Sequence, residues 1–397
     1  DLWNVNNDPM YVAEPMEWLS KENPDVMINI AASPFAYNHD EERVHILGDN
    51  CRKYNLPLFY VNQIGAQTEL IFDGESLVFN EKGEVLDQLA AFTEDLKVYE
   101  FAQNKVLGLV PRTAAPESDV AQIHQALVLG IRDYFQKSGF KKATLGLSGG
   151  IDSAVVCALA VEALGPENIV AVLLPSEFSS DHSIADALAL VQNVGCEQLT
   201  VPIKHATEAF EAMLKPSFKD LPFNLTEENI QSRSRAVVLM ALSNKFGYIL
   251  LNTSNKSECA VGYGTLYGDM AGAISVLGDV YKTQVYQLAN YINRNREIIP
   301  QNSIVKPPSA ELRPGQKDSD SLPDYEVLDK LLFQFIEQKQ SPSALIAQGF
   351  NESLVNKILK LVNQAEFKRY QTPPILRVSP KAFGPGRRMP IVGKYLT

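Results

Sequence analysis

Leu145-Gly-Leu-Ser-Gly-Gly-Ile-Asp-Ser153 is the stretch that decides the fold of this chain. It closes a short β-prone run, Ala143–Leu147, and opens an apolar helical run, Ala154–Leu164. A strand feeding a glycine-rich turn and then a helix start brings backbone N–H groups together, and the helix dipole there favours negative charge. Glycines let the backbone approach a phosphate closely, and Ser148 and Ser153 offer hydroxyl donors. No Gly-Lys-Ser/Thr follows at the spacing of a Walker A loop. A Gly-Gly pair alone is equally an ordinary turn, so the surrounding chain must discriminate.

Working outward, strands and helices alternate. Ile123–Phe135 reads as an amphipathic helix. After the loop come strand Ile169–Leu174, helix Ser183–Val194, strand Gln198–Ile203, a helix over 205–214, the long helix Glu227–Lys245 and strand Tyr248–Leu251. This pattern predicts an α/β domain with a doubly wound parallel sheet and a ligand at the carboxyl ends of its strands. Pro300–Pro323, rich in Pro, Ser, Asp and Gly, reads as a loop that orders on binding, without an element of its own. The tail Tyr370–Thr397, with five prolines and several basic residues, is expected to wrap the surface. Residues 1–103 read as a separate α/β piece. Strands Val26–Ala31 and Leu58–Val61 flank a charged helix, Asp40–Tyr54. A hairpin of Leu70–Phe72 and Ser76–Asn80 is expected around Asp73-Gly74, with a further turn at Lys82-Gly83. Two prolines and weak periodicity place a linker at 104–116, so the second domain is 117–397.

The chain has 397 residues, 45% of them hydrophobic and 21% charged, as in a globular protein of two or three domains. Its 36 basic and 47 acidic residues give a net charge of −11, which argues against non-specific nucleic-acid binding. Cys51, Cys157, Cys196 and Cys259 form no CxxC pair, and fit a reducing cytoplasm better than a disulfide or zinc scaffold. No apolar run is long enough to predict a membrane span. The chain begins at Asp1 without Met, and is therefore expected to be a piece of something longer.

Downstream, Asn252-Thr-Ser-Asn-Lys-Ser-Glu258 follows a strand and places a hydroxyl, an ammonium and a carboxylate together; read alone, it is equally a polar helix cap. Tyr263-Gly-Thr-Leu-Tyr-Gly-Asp269 adds a flexible turn and a carboxylate, and Val280-Tyr-Lys282-Thr a lysine suited to a phosphate. Ser148-Gly-Gly-x-Asp-Ser153 resembles the pyrophosphate-binding loop of N-type ATP pyrophosphatases, which cleave ATP to AMP and pyrophosphate. Together with Leu174-Pro-Ser-Glu-Phe-Ser-Ser, Glu228-Asn-Ile-Gln-Ser-Arg-Ser-Arg235, Gly268-Asp-Met, Ala310-Glu-Leu-Arg-Pro and Phe367-Lys-Arg, these stretches resemble the NAD synthetase family over nearly all of 117–397. The resemblance implies an adenine nucleotide alpha hydrolase-like sheet. It implies that Gly146, Leu147, Ser148, Gly149, Gly150, Ile151, Asp152, Ser153, Thr253 and Lys282 bind ATP, with Asp152 and Glu258 holding Mg²⁺. Asp152, Glu258 and Lys282 are then the catalytic groups, and Asn229, Arg233, Glu258, Asp269 and Lys368 bind deamido-NAD. Arg233 and Arg235 point about 200° apart on one helix. Arg233, one turn beyond Asn229, is the expected ligand, and Arg235 a packing or interface residue.

Asp1-Leu-Trp-Asn and Tyr60-Val-Asn-Gln-Ile-Gly-Ala-Gln, running on to Phe72-Asp-Gly-Glu-Ser, resemble nitrilase-type glutaminases, implying an incomplete α-β-β-α domain over 1–103 and the glutamine-dependent branch of the family. That family's nucleophilic Cys would lie two positions before Asp1, and its Glu and Lys earlier still. Cys51, mid-helix, reads as a structural thiol. Ser33 matches a glutamine-contacting Ser, and His39 stands where a basic residue usually follows. These residues alone are expected to use ammonia without hydrolysing glutamine.

The implied reaction is amidation of deamido-NAD to NAD. The nicotinate carboxylate attacks the α-phosphate of ATP, pyrophosphate leaves, and ammonia then displaces AMP. Positioning two anions and screening their repulsion is most of the task, so no protein nucleophile is required. Other enzymes sharing the loop, GMP synthetase-like amidating or adenylating enzymes among them, are the alternative. Asn252–Glu258 and the nitrilase-like segment argue against them. The family resemblance also implies a homo-oligomer.

Overall fold

The computed structural model describes residues 2–3, 12–112, 117–219 and 221–393. Asp1 and Asn4 of the opening segment, residues 113–116 of the expected linker and the last four residues of the tail lie outside the described residues. The chain forms two compact units, Asp1–Gly130 with Val378–Pro380, and Ile131–Arg377 with Lys381–Thr397. Among the described residues, no helix is long and apolar enough to cross a membrane.

The first unit runs α1 (Pro15–Leu19), β1 (Met27–Ala31), α2 (Asp40–Tyr54), β2 (Leu58–Asn62), β3 (Ile64–Gln67), β4 (Leu70–Asp73), β5 (Leu77–Phe79), β6 (Val85–Gln88), and a short ribbon of β7 (Phe101–Ala102) and β8 (Lys105–Val106). Its main sheet has the order β1-β2-β5-β6, with β1 and β2 parallel and the other pairs antiparallel. Leu47 and Cys51 of α2 pack against Leu58 and Phe79 in its core. Burial pushes the Cys51 thiol up to about 12, which makes it a structural thiol.

The hairpin expected around Asp73-Gly74 is not formed. Instead β4 pairs with β3 across a turn at Thr68, which takes a left-handed φ of 55°. Asp73-Gly74 is the corner that carries the chain from this ribbon to β5. Asp73 is drawn inward there by Arg43 at 2.7 Å and Asn62 at 2.9 Å, a pull that alternating hydrophobicity does not reveal. The turn at Lys82-Gly83 does join β5 to β6.

α3 (Asp119–Ser138) contains the point of division, and the second unit continues with β9 (Ala143–Gly146), α4 (Ile151–Leu164), β10 (Ile169–Leu173), α5 (Asp181–Val194), β11 (Glu197–Thr200), α6 (Lys204–Phe218), α7 (Leu225–Phe246), β12 (Ile249–Asn252), α8 (Lys256–Val261) and β13 (Ile274–Ser275). It ends in α9 (Lys282–Ile292), α10 (Gln301–Val305), α11 (Tyr325–Ile336), α12 (Pro342–Ala347), α13 (Glu352–Gln364) and α14 (Glu366–Arg369). The sheet order is β11-β10-β9-β12-β13 with every pair parallel. All five residues of β10 are buried, as expected of a strand covered on both faces. The chain leaves β9 for β10 and β11 on one side and returns to β12 on the other. The crevice at the carboxyl ends of β9 and β12 is therefore the topological switch point, where such sheets bind ligands.

Three expectations change here. α4 starts at Ile151, three residues early, because Gly150 is its N-cap and Asp152 suits the positive first turn. Pro300–Pro323 contains α10 and a 3₁₀ turn at Asp318–Asp320. The tail does not merely wrap the surface: Ile375, Leu376, Ala382 and Phe383 are buried, and Ile375 pairs in parallel with Ser275 of β13.

Candidate active site

The switch point opens into a cleft of 310 Å³. The loop after β9 forms one wall. Gly149 has φ +79°, and a Cβ there would lie 2.1 Å from the Ser183 carbonyl oxygen, so only glycine fits. Its own carbonyl accepts the Ser303 hydroxyl at 2.9 Å. The Ser148 and Ser153 hydroxyls lie 3.2 Å apart; Ser148 Oγ accepts the Gly150 N–H at 3.2 Å, and Ser153 Oγ donates to the Gly150 carbonyl at 3.0 Å. These bonds hold the loop folded at the N-terminus of a 14-residue helix, which makes it an anion cradle. Gly146, Leu147, Ser148, Gly150, Ile151, Asp152 and Ser153 all line the cleft; Gly149 backs it.

The stretch after β12 forms the opposing wall. Asn255 caps α8 in a capping box: its side chain accepts the Glu258 N–H at 3.0 Å, and Glu258 accepts the Asn255 N–H at 3.3 Å. The same Asn255 amide donates to Asp152 Oδ1 at 2.9 Å, so one side chain ties the two walls together. Lys282, at the start of α9, is buried; its ammonium donates to Asp152 Oδ2 and lies 3.8 Å from Glu258. It also sits 5.4 Å from the centroid of the Tyr325 ring. Burial, reinforced by the neighbouring Asp152 charge, pushes the Glu258 carboxyl up to about 8. Lys282 is raised, because attraction to Asp152 and Glu258 outweighs the cost of burial. Three groups from three helix starts thus converge, and Thr253 lines the same cleft. Two carboxylates around a cationic position form a hard-oxygen donor set that fits magnesium.

The residues expected to hold the second substrate gather around the turn Gly262–Asp269. Thr265 Oγ1 donates to Asn229 at 2.7 Å, and Asp269 accepts the Thr265 N–H at 2.6 Å. Lys368 donates to the carbonyls of Gly262 and Gly264 at 2.8 and 2.7 Å, and Arg233 to that of Leu266 at 3.1 Å. Of these, Asp269 lines the cleft; solvent reaches it, yet the surrounding protein raises its carboxyl to about 6. Arg235, expected to be a packing or interface residue, also reaches the cleft. Its Nε donates to the Leu174 carbonyl at 3.0 Å, and its side chain lines the cleft, whereas Arg233 is exposed outside it. The two arginines thus leave α7 in opposed directions, Arg235 toward the cleft and Arg233 toward the turn at Leu266.

Asp318 is a cleft residue that the sequence reading missed. It accepts the hydroxyls of Tyr263 at 3.2 Å and Tyr325 at 2.9 Å, and it feels the Lys282 charge. The acid-rich turn Gln316-Lys-Asp-Ser-Asp320 was the available signal. In the first unit, Ser33 N–H donates to Asn62 at 2.9 Å and His39 is the N-cap of α2. Neither lines the 160 Å³ cavity beside Phe35, Asp73, Glu75 and Phe92.

The sequence pattern of the NAD synthase family matches residues 123–372. The chain is 47% identical over 400 residues to a glutamine-dependent NAD(+) synthetase from Synechocystis sp., covering 100% of this chain and 72% of that protein. A protein of the same name from Acinetobacter baylyi is 44% identical, with the same coverage. Among solved structures, glutamine-dependent NAD+ synthetase from Acinetobacter baumannii, determined with ADP, superposes with a TM-score of 0.70 at 40% identity, over 95% of this chain and 69% of that one. An NH3-dependent NAD synthetase from Campylobacter jejuni gives a TM-score of 0.52 at 28% identity, over 66% of this chain and 100% of that one. With its glycine-rich loop at the switch point and its whole length matched, this chain belongs to the NAD synthase family, in the glutamine-dependent group.

Proposed function

We propose that the chain amidates deamido-NAD to NAD at the expense of ATP, through an adenylated intermediate, releasing pyrophosphate and AMP. One observation carries this reading: Asp152, Glu258 and Lys282 converge beside the Ser-Gly-Gly cradle. A nicotinate carboxylate oxygen attacks the α-phosphorus, and the bond to the β-phosphate oxygen breaks. Charge that builds on the departing pyrophosphate meets the N–H groups of the 148–153 loop and the Lys282 ammonium. Ammonia then adds to the adenylated carbonyl, AMP leaves, and a proton is lost from nitrogen.

Asp152 and Glu258 would hold magnesium, which supplies charge screening on the phosphates. Asn229, Arg233, Asp269 and Lys368 are proposed to position deamido-NAD from the Gly262–Asp269 side, with Arg235 on the cleft wall. Glutamine is the proposed ultimate nitrogen source, as the names of the longer relatives suggest, with Ser33 and His39 as contacts.

The test supplies ATP, Mg²⁺, deamido-NAD and ammonium, and follows NAD, AMP and pyrophosphate. Equimolar formation of all three is expected. Absence of pyrophosphate, or turnover as fast with xanthosine monophosphate as acceptor, overturns the reading in favour of none or another of the adenylating enzymes. Nicotinate mononucleotide belongs in the same panel, because an NMN synthetase from Francisella tularensis is 31% identical over 63% of this chain.

A further inference from the structure

Glu258 and Lys282 stand at the starts of α8 and α9, and something beyond the bond from the Lys256 N–H to the Val280 carbonyl at 2.9 Å fixes those starts together. Their sequence neighbours show what does. Ser257 Oγ accepts the Lys282 N–H at 2.9 Å and donates to Asp329 Oδ1 at 2.5 Å. The other oxygen, Oδ2, accepts the Thr283 N–H at 2.8 Å. The first two N–H groups of α9 are thus capped from outside the helix, by a serine of α8 and an aspartate of α11. A carboxylate at a helix N-terminus is favoured by the dipole, and here both Ser257 and Asp329 are buried. Two turns on, at the C-cap of α11, Glu337 takes the Lys256 ammonium at 2.7 Å, so the end of the same helix grips α8 a second time.

We infer that Asp329 is a positioning residue for the ATP·Mg²⁺ site: through Ser257 and Thr283 it sets the separation of Glu258 from Lys282. It does not itself line the cleft. The inference rests on the proposed role of Glu258 and Lys282, and goes beyond it by assigning the distance between them to a residue of another helix. Loss of the Asp329 bonds lets the α8 and α9 starts part, and displacements on the order of 1 Å at such sites cost about a hundredfold in rate.

The test measures affinity for a non-hydrolysable α,β-methylene ATP analogue by calorimetry, with and without Mg²⁺, on the full chain. Alongside it, kcat and KM are measured as Mg²⁺ and deamido-NAD are varied. Asp329→Asn and Ser257→Ala are each expected to weaken binding of the Mg²⁺ complex about tenfold or more, raise the Mg²⁺ needed for half-maximal rate, and leave the KM for deamido-NAD unchanged. Combining the two substitutions should add little to either one. A residue that merely stabilises the fold would lower the active fraction and kcat alone, with binding unchanged in the folded protein; that pattern overturns the inference. Should Asp329→Asn fail to fold, Ser257→Ala, which removes a single hydroxyl, decides by itself. If the parent chain itself binds no analogue, the proposed ATP site fails; if the parent binds and both variants match it, the inference alone fails.

Discussion

Gly149→Ala isolates the cradle from the rest of the site. The substitution has two separable costs. A left-handed φ for alanine is unfavourable by about 1–2 kcal/mol. The added Cβ, 2.1 Å from the Ser183 carbonyl oxygen, also forces that backbone and the loop apart, since contacts below 3.0 Å are essentially never tolerated. The needed movement is on the order of 1 Å, which at a reacting centre costs about a hundredfold. Gly139 supplies the control: its φ is +75°, and a Cβ there meets nothing within 4 Å. Gly139→Ala should show the stability loss alone. Pyrophosphate release is measured against ATP concentration for both variants, with thermal melting by circular dichroism. The expected result is a kcat/KM for ATP about a hundredfold lower in Gly149→Ala, a parental value in Gly139→Ala, and a lowered melting temperature in both. If both variants fall within threefold of the parent, the close packing of the loop on α5 is not what shapes the cradle.

Lys282→Met leaves Asp152 and Glu258 facing each other without their cation, so activity should fall at least about a hundredfold, with about 3 kcal/mol lost from urea-unfolding stability. Glu258, at about 8 in the folded chain and near 4.5 unfolded, binds more protons folded than unfolded between those values, so its contribution to stability falls as pH rises through that window. Urea midpoints from pH 5 to 9 should show a decline that Glu258→Gln reduces; an unchanged slope in the variant refutes the assignment. Leu376→Ala should cost about 2–5 kcal/mol, because the side chain is fully buried, whereas Val392→Ala at an exposed position should cost nothing measurable. Equal effects of these two in thermal melts would contradict the buried course of the tail.

Strand and helix alternation carried the synthetase unit because its central apolar runs are continuous, as burial on every side demands, and are punctuated by glycines and polar turns. β10 and α4 are examples. The chemistry was legible where it lies within a few residues of a strand end, as with Ser148–Ser153 and Asn252–Glu258. It was illegible where tertiary approach decides it. Asp318 and Asp329 are ordinary acids in sequence, and only the folded chain brings them under Lys282. For Arg233 and Arg235, helical geometry predicted opposed directions, yet which direction met the cleft depended on how α7 packs. The misplaced hairpin at Asp73-Gly74 has the same origin. A buried ion pair with Arg43, 30 residues earlier, turns an apparent reversal into a corner between two sheets.

The pairing of Ile375 with Ser275 has a consequence for biosynthesis. β13 is the edge of the parallel sheet, and its outer hydrogen bonds are completed by the Pro374 carbonyl at 2.8 Å and the Leu376 N–H at 3.1 Å. Those groups emerge from the ribosome about a hundred residues after the strand they cover, at translation speeds of 5–20 residues per second roughly 5–20 s later. For that interval the nascent sheet carries an open edge next to its own cleft, the kind of surface that recruits another strand. Slow synthesis of the segment after α9 should therefore lower the yield of native enzyme, and holdase chaperones should raise it, although no residue of the mature site has changed.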